Sequence, residues 1–161
     1  MNPAPYRIQV LDGSDLSGCH AVCREVFIVE QGISEAEEMD AYDPHAVHLL
    51  ATAAGGSAPL GTVRFLYGAG SREKYPDAAL DHDSTAVIGR LAVSGAARGT
   101  GLGVALVRAV EDEARRIGLT EIYLESQTHA LRFYERLGYT AFGPEFDEGG
   151  GIQHQAMRRS L

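Results

Sequence analysis

Between residues 86 and 117 the chain reads AVIGRLAVSGAARGTGLGVALVRAVEDEARRI, an apolar run that glycines interrupt around Arg98 and that resumes with helical spacing. Glycine in quantity costs backbone entropy, so a cluster at an element boundary implies unusual dihedrals or close backbone approach. A strand over about Ala86–Val93 enters the cluster, and a helix running to Ile117 leaves it, with Leu102, Leu106, Ala109, Val110 and Ile117 on one face. Such a junction aims unpaired N–H groups and the positive end of the helix dipole at one point, a cradle suited to phosphate. Arg98 adds a charge-assisted contact to the same oxygens. A chain built around this unit must place a helix against a sheet, which makes it α/β.

The rest of the pattern fills in that sheet. Tyr6–Leu11 alternates as a first strand, and Asp12, Gly13, Ser14 and Asp15 supply turn and cap chemistry for a helix to about Val29. Leu16, Cys19, Val22, Cys23, Val26 and Phe27 give that helix a buried stripe. An acidic segment without periodicity follows Gly32. Strands are expected at Val47–Ala53 and Leu60–Tyr67, and GAGSREKYPDAALDHDST reads as a long, mobile connection. In the second helix Glu111/Arg115 and Asp112/Arg116 stand four apart, as pairs on an outer face, and Gly118 ends it. A strand at Glu121–Glu125, a helix capped by Thr128 and closed at Gly138, and strands at Tyr139–Phe142 and Ile152–Arg158 around the turn GPEFDEGG complete the order. The expectation is β-α-β-β-β-α-β-α-β-β, a mixed sheet with helices on its faces, in one domain over 1–161.

Charge and cysteine usage exclude several roles. The formal net charge of −8 speaks against a nucleic-acid partner, which needs a basic surface. No signal peptide or bilayer-spanning run is evident, so the expected place is the cytoplasm, as a monomer or homodimer without a membrane partner. Cys19 and Cys23, four apart in a helix, suit two free, partly buried thiols. Asp40, Asp43, His45 and His48 fit no standard metal spacing, and no metal is expected. The glycine segment is no P-loop, because no Gly-Lys-Ser/Thr follows. It is no dinucleotide fingerprint either, since Val104 and Leu106 stand where the last glycine of either register belongs.

Arg98-x-x-Gly101-x-Gly103 resembles the Arg/Gln-x-x-Gly-x-Gly/Ala motif of the GNAT superfamily of N-acetyltransferases, and FYERLGY at 133–139 resembles its second signature. Within the superfamily, REVFIVEQG at 24–32, EEMDAYDPHAVHLLA and GRLAV at 89–93 are similar to the ElaA-like branch, and the likeness covers nearly all of Tyr6–Arg159. The resemblance implies the acyl-CoA N-acyltransferase fold and acetyl-CoA as co-substrate. Leu91, Ala92 and Val93 would hydrogen-bond the pantetheine arm as a pseudo-strand. The pyrophosphate would rest on the N–H groups of Arg98, Gly99, Thr100, Gly101, Leu102 and Gly103.

Acyl transfer to an amine needs a neutral amine, a stabilised oxyanion and a proton for the departing thiolate. The resemblance implies Tyr134 as that acid, pointing at the sulfur; as plain sequence, Tyr134 is also a core aromatic beside Leu131 and Leu137. Glu30, Glu125 and His129 are candidates for the base, with none assigned, and His129 replaces the asparagine common at that cofactor contact. Arg90, inside an apolar strand, either binds an acidic acceptor group or pairs with an acid such as Glu30; burial favours the pair. The helix Ser14–Gly32 and the 69–84 connection would wall the acceptor pocket. The function implied is acetyl transfer from acetyl-CoA to a primary amine of a small molecule or peptide, by direct attack through a tetrahedral intermediate. An acyl-homoserine-lactone-synthase-like acyltransferase and a non-catalytic acyl-CoA-binding module are the alternatives.

Overall fold

The computed structural model describes residues 5–11, 15–35, 41–148 and 151–161. Strands β1 (Tyr6–Val10), β2 (Val47–Ala53), β3 (Pro59–Leu66), β4 (Thr85–Val93), β5 (Glu121–Gln127), β6 (Thr140–Asp147) and β7 (Gln153–Ser160) form one mixed sheet in the order β1-β2-β3-β4-β5-β7-β6. Helices are α1 (Ser17–Cys23, continued as a wider π-helical segment over Arg24–Glu30), α2 (Ala69–Lys74), α3 (Leu102–Arg116) and α4 (Leu131–Arg136). All neighbouring strands are antiparallel except β4 and β5, whose parallel pairing needs a crossover, and α3 provides it.

Alternation along β3 assigns the two faces. Val63 and Phe65 are fully buried against the cluster that includes Leu102, Leu106 and Val110 of α3. Thr62 and Arg64, which alternate with them, face Cys19 and Cys23 of α1, so α1 covers the opposite face. Both helices approach through glycine. A Cβ on Gly61 would lie 2.9 Å from side-chain carbons of Leu102 and Leu106, and one on Gly18 would lie 2.9 Å from Leu50.

Several expectations change on contact with the fold. The helix α1 starts at Ser17, where Asp15 Oδ1 accepts the Ser17 N–H at 3.0 Å; residues 12–14 lie outside the described residues. The 69–84 connection is held in place: α2 lies within it, Gly70 and Ser71 are buried, and Ser71 Oγ and His82 Nδ1 meet at 2.6 Å. Short-range polar pairing of this kind carries no periodicity to read. Thr128 makes no side-chain cap; it opens a 3-10 turn, Thr128–Ala130, that leads into α4. Strand β6 runs on to Asp147 through residues read as a turn, because a bulge between Phe142↔Ala156 and Phe146↔His154 absorbs Gly143, Pro144 and Glu145.

Glu111 does not stand on an outer face. Its carboxylate is 1% exposed and accepts hydrogen bonds from Arg108 Nη1 at 2.8 Å and from the Tyr139 hydroxyl at 2.8 Å, with Arg159 Nη1 also at 2.8 Å. On the exposed face Asp112 pairs with Arg115, and Glu113 with Arg116, both three apart. Glu111 thereby fastens α3 to the β6–β7 half of the sheet.

Candidate active site

The parallel ladder between β4 and β5 stops at Ile88↔Leu124, although both strands continue. On its other side β4 is bulged: Thr62 faces Ala92 and Arg64 faces Gly89, so Val63 alone spans Arg90 and Leu91. Arg90 takes φ 54°, the one positive value at a non-glycine among the described residues. A left-handed residue inside a strand costs about 1–2 kcal/mol and bends the strand away from β5. The result is a cleft of about 580 Å³ between the splayed strands.

Leu91, Ala92 and Val93 line one wall of this cleft, and Glu125, Ser126 and Gln127 the other. Their backbone groups at the splay are not paired across the gap. The strand wall leads through the turn Gly95–Ala97 to α3. Gly99 (φ 79°) and Gly101 (φ 83°) hold left-handed dihedrals, with nothing within 4 Å of where a Cβ would stand. Gly101 C=O accepts the first helical bond from Ala105 N–H, so the Leu102, Gly103 and Val104 N–H groups are the free donors of the first turn. Thr100 Oγ1 donates back to Ala97 C=O at 2.5 Å and tightens the loop.

The motif's residues therefore divide by physical role. Gly103 is a packing glycine, since its Cβ would lie 3.3 Å from the Phe133 ring, and Leu102 sends its side chain into the core. Only their N–H groups can serve a ligand. Arg98 reaches the cleft but is held there by Glu30, with Nη1–Oε2 at 2.7 Å and Nη2–Oε1 at 2.5 Å. The pairing expected between Arg90 and Glu30 is thus not made. Arg90 lies within electrostatic reach of Asp43, which also binds His20 at 2.9 Å and Arg64 at 2.6 Å. Burial alone would raise the Asp43 carboxyl; the hydrogen bonds from His20 and Arg64 outweigh it and hold it low.

Among the described residues no group of three or more His, Cys, Asp or Glu gathers as a metal site; His48 Nε2 bonds the Asp43 carbonyl at 2.8 Å, and Asp40 lies outside the described residues. Cys19 and Cys23 are buried and unbridged, and burial pushes the Cys19 thiol up.

Tyr134 belongs to both readings the sequence left open. Its ring packs edge-on against Phe133 (5.0 Å) and Tyr139 (5.8 Å) in the core, and its side chain also lines the cleft. Burial raises its pKa, so the phenol keeps its proton at neutral pH. His129, Glu30 and Glu125 line the same cleft. From the π-helical continuation of α1 come Val26 and Phe27, and from the residues just after it Gln31 and Ile33. Across one end of the cleft, the side-chain amides of Gln31 and Gln127 bond each other reciprocally at 2.9 and 3.2 Å.

Sequence reasoning missed Gln31, Gln127, Lys74, Tyr75, Glu148 and His154, all of which line the cleft. Glu148 sits in the stretch read as a turn. An acid there, followed by a histidine six residues on, was the available signal. Burial and then the neighbouring Glu125 push the Glu148 carboxyl up to about 8.

The profile of a family described as acetyltransferase (GNAT) domain matches residues 77–161. The Bacillus subtilis (strain 168) protein YyaT is 32% identical over 151 residues, 92% of this chain and 90% of its own. The crystal structure of an acyl-CoA N-acyltransferase from Pseudomonas aeruginosa is similar with TM-score 0.74 and 31% identity, over 96% of this chain and 97% of that one. That of Escherichia coli ElaA is similar with TM-score 0.76 and 25% identity, over 96% and 99%.

Proposed function

This chain belongs to the GNAT acetyltransferases, and from that premise we propose that it moves the acetyl group of acetyl-CoA to a primary amine of a small-molecule or peptide acceptor. That it is an acyltransferase follows from the family; the acceptor, the route and the residues below are our reading. The observation that carries it is the opened β4–β5 ladder lying beside a left-handed glycine turn at the start of α3.

The cleft fits acyl-CoA chemically. Its strand wall offers unpaired backbone groups to the amides of a pantetheine arm, which adds as a strand adds to a sheet edge. Gly99 and Gly101 leave open space where a phosphate must approach the N–H groups of the first turn of α3. Arg98 would exchange Glu30 for phosphate oxygens. Bound there, acetyl-CoA supplies an activated carbonyl and a thiolate leaving group.

The chain's own part is orientation, electrostatics and proton traffic. An N–H of Leu91–Val93 serves the oxyanion that forms when the amine attacks the thioester carbonyl directly. Tyr134 holds the proton that the departing sulfur takes; its burial keeps the phenol protonated and fixes its ring. Apolar cover from Phe27, Phe133 and Leu91 excludes water from the thioester.

Tyr134→Phe, assayed by amine-dependent thiol release, tests the reading. It removes one oxygen, keeps the ring stack, and should leave acetyl-CoA affinity unchanged while kcat and kcat/KM fall together by about a hundredfold. Turnover within about threefold of wild type, with binding intact, would reduce Tyr134 to a packing residue.

A further inference from the structure

At the β5–β7 side of the cleft, two carboxylates meet. Glu125 Oε2 accepts the Tyr123 hydroxyl at 2.8 Å, and Glu148, just beyond β6, lines the same cleft within electrostatic reach of Glu125. His154 Nε2 of β7 stands 3.3 Å from Glu148 Oε2, and Lys74 and Tyr75 at the end of α2 complete the surround. Burial and then the nearby Glu125 raise the Glu148 carboxyl, so its ionised, base-competent form gains share as pH rises through about 8. The pair lies in the cleft that holds Tyr134.

Resting on the amine-acetylation reading, we propose that Glu148 is the group that takes the proton from the acceptor ammonium, and that Glu125 is the positioning residue that sets its basicity. The argument is one of matching. A glutamate at its ordinary value of about 4.3 faces an alkyl ammonium near 10.4 across roughly six pK units, an uphill transfer. Buried, and beside Glu125, with its carboxyl raised to about 8, Glu148 narrows that gap to roughly two. The pair's charge also draws the cation in, and Lys74, which pulls the value the other way, keeps the rise within a useful range.

The proton count closes. The ammonium gives one proton to Glu148, and the freed lone pair forms the C–N bond. The C–S bond breaks with its electrons on sulfur, which takes the Tyr134 proton. The second nitrogen proton leaves as the amide forms and restores Tyr134. Ammonium and thioester have become amide, thiol and one proton, which Glu148 returns to solvent.

The test compares wild type with Glu148→Gln, Glu125→Gln and Glu148→Asp, using one amine that releases thiol with the wild type. Glu148→Gln should lower kcat about a hundredfold with acetyl-CoA affinity unchanged, and Glu148→Asp should recover part of it. In Glu125→Gln the rising limb of kcat/KM should move by more than about one pH unit towards acid, because the like charge is gone. Carbon NMR of labelled glutamate should show a carboxyl titrating near 8 in the wild type and in neither Gln variant. Three results overturn the assignment: Glu148→Gln within about threefold of wild type, an unmoved limb in Glu125→Gln, or a raised KM at unchanged kcat, the mark of a cation trap. If no amine in a broad panel releases thiol with the wild type, the acetyl-transfer reading itself falls, and the base with it.

Discussion

Replacing Glu111 by glutamine should weaken the fold substantially without touching the cleft. The carboxylate is 1% exposed and meets Arg108, Arg159 and Tyr139, each at 2.8 Å. Removing one partner of a buried ion pair costs about 3–5 kcal/mol. Here the arginines are 42% and 27% exposed, so water recovers part of their solvation, and glutamine still accepts from Tyr139. About 2–3 kcal/mol remains, a fall in Tm of about 5–10 °C for a chain of this size. The pH dependence has a definite sign. Burial would raise the Glu111 carboxyl, but hydrogen bonds from Arg108, Tyr139 and Arg159 prevail and hold it below its unfolded value. Its contribution is therefore complete above the unfolded value of about 4.3 and is lost as pH falls through the folded one. Urea unfolding of both proteins at pH 7 and through the acid range measures this. A difference under about 0.5 kcal/mol at pH 7, or one that grows on acidification, would refute the network as an anchor.

Three further outcomes follow from the same geometry. Gly101→Val forces a β-branched residue to φ 83°, at about 1–2 kcal/mol, and should weaken acetyl-CoA binding measured by calorimetry at least tenfold; unchanged affinity in a folded variant rejects the cradle. Glu30→Gln frees Arg98 and should tighten acetyl-CoA binding by a few-fold at low salt, a gain that fades as salt screens the pair and that Arg98→Ala should abolish. The double change Cys19→Ala/Cys23→Ala should lower Tm yet keep turnover at saturating substrates; lost activity in the folded protein would mean acyl transfer through a cysteine.

Much of this was legible in the sequence because the elements obey single periodicities. The order of strands and helices, the left-handed Gly101, Gly118 and Gly138, and the walling role of α1 all follow from local pattern. What escaped depends on contacts between distant residues. Glu111 looks like half of a surface pair until Tyr139 and Arg159 arrive from elsewhere in the chain. Glu30 and Arg98 are 68 residues apart, and no spacing rule joins them. Gly103 resembles its motif neighbours but answers to Phe133. Glu148 comes within reach of Glu125 only because β6 runs on past its bulge.

The splay between β4 and β5 also has a mechanical side. Four aligned pairs, Thr85↔Glu121 to Ile88↔Leu124, join these strands, against seven between β5 and β7. The sheet divides into two panels, β1 to β4 and β5 to β7, joined by this short seam, with α3 packed mainly on β3 and β4. About four residues beyond the last pair, some 13 Å along the strands, a panel rotation of roughly 5° widens the mouth by about 1 Å. Pocket width is thus sensitive to torsion about a seam whose last pair, Ile88↔Leu124, itself lines the cleft. Side chains farther down the seam, such as Ala86 and Ile122, which do not line the cleft, should alter its width by changing how stiffly the panels are held apart.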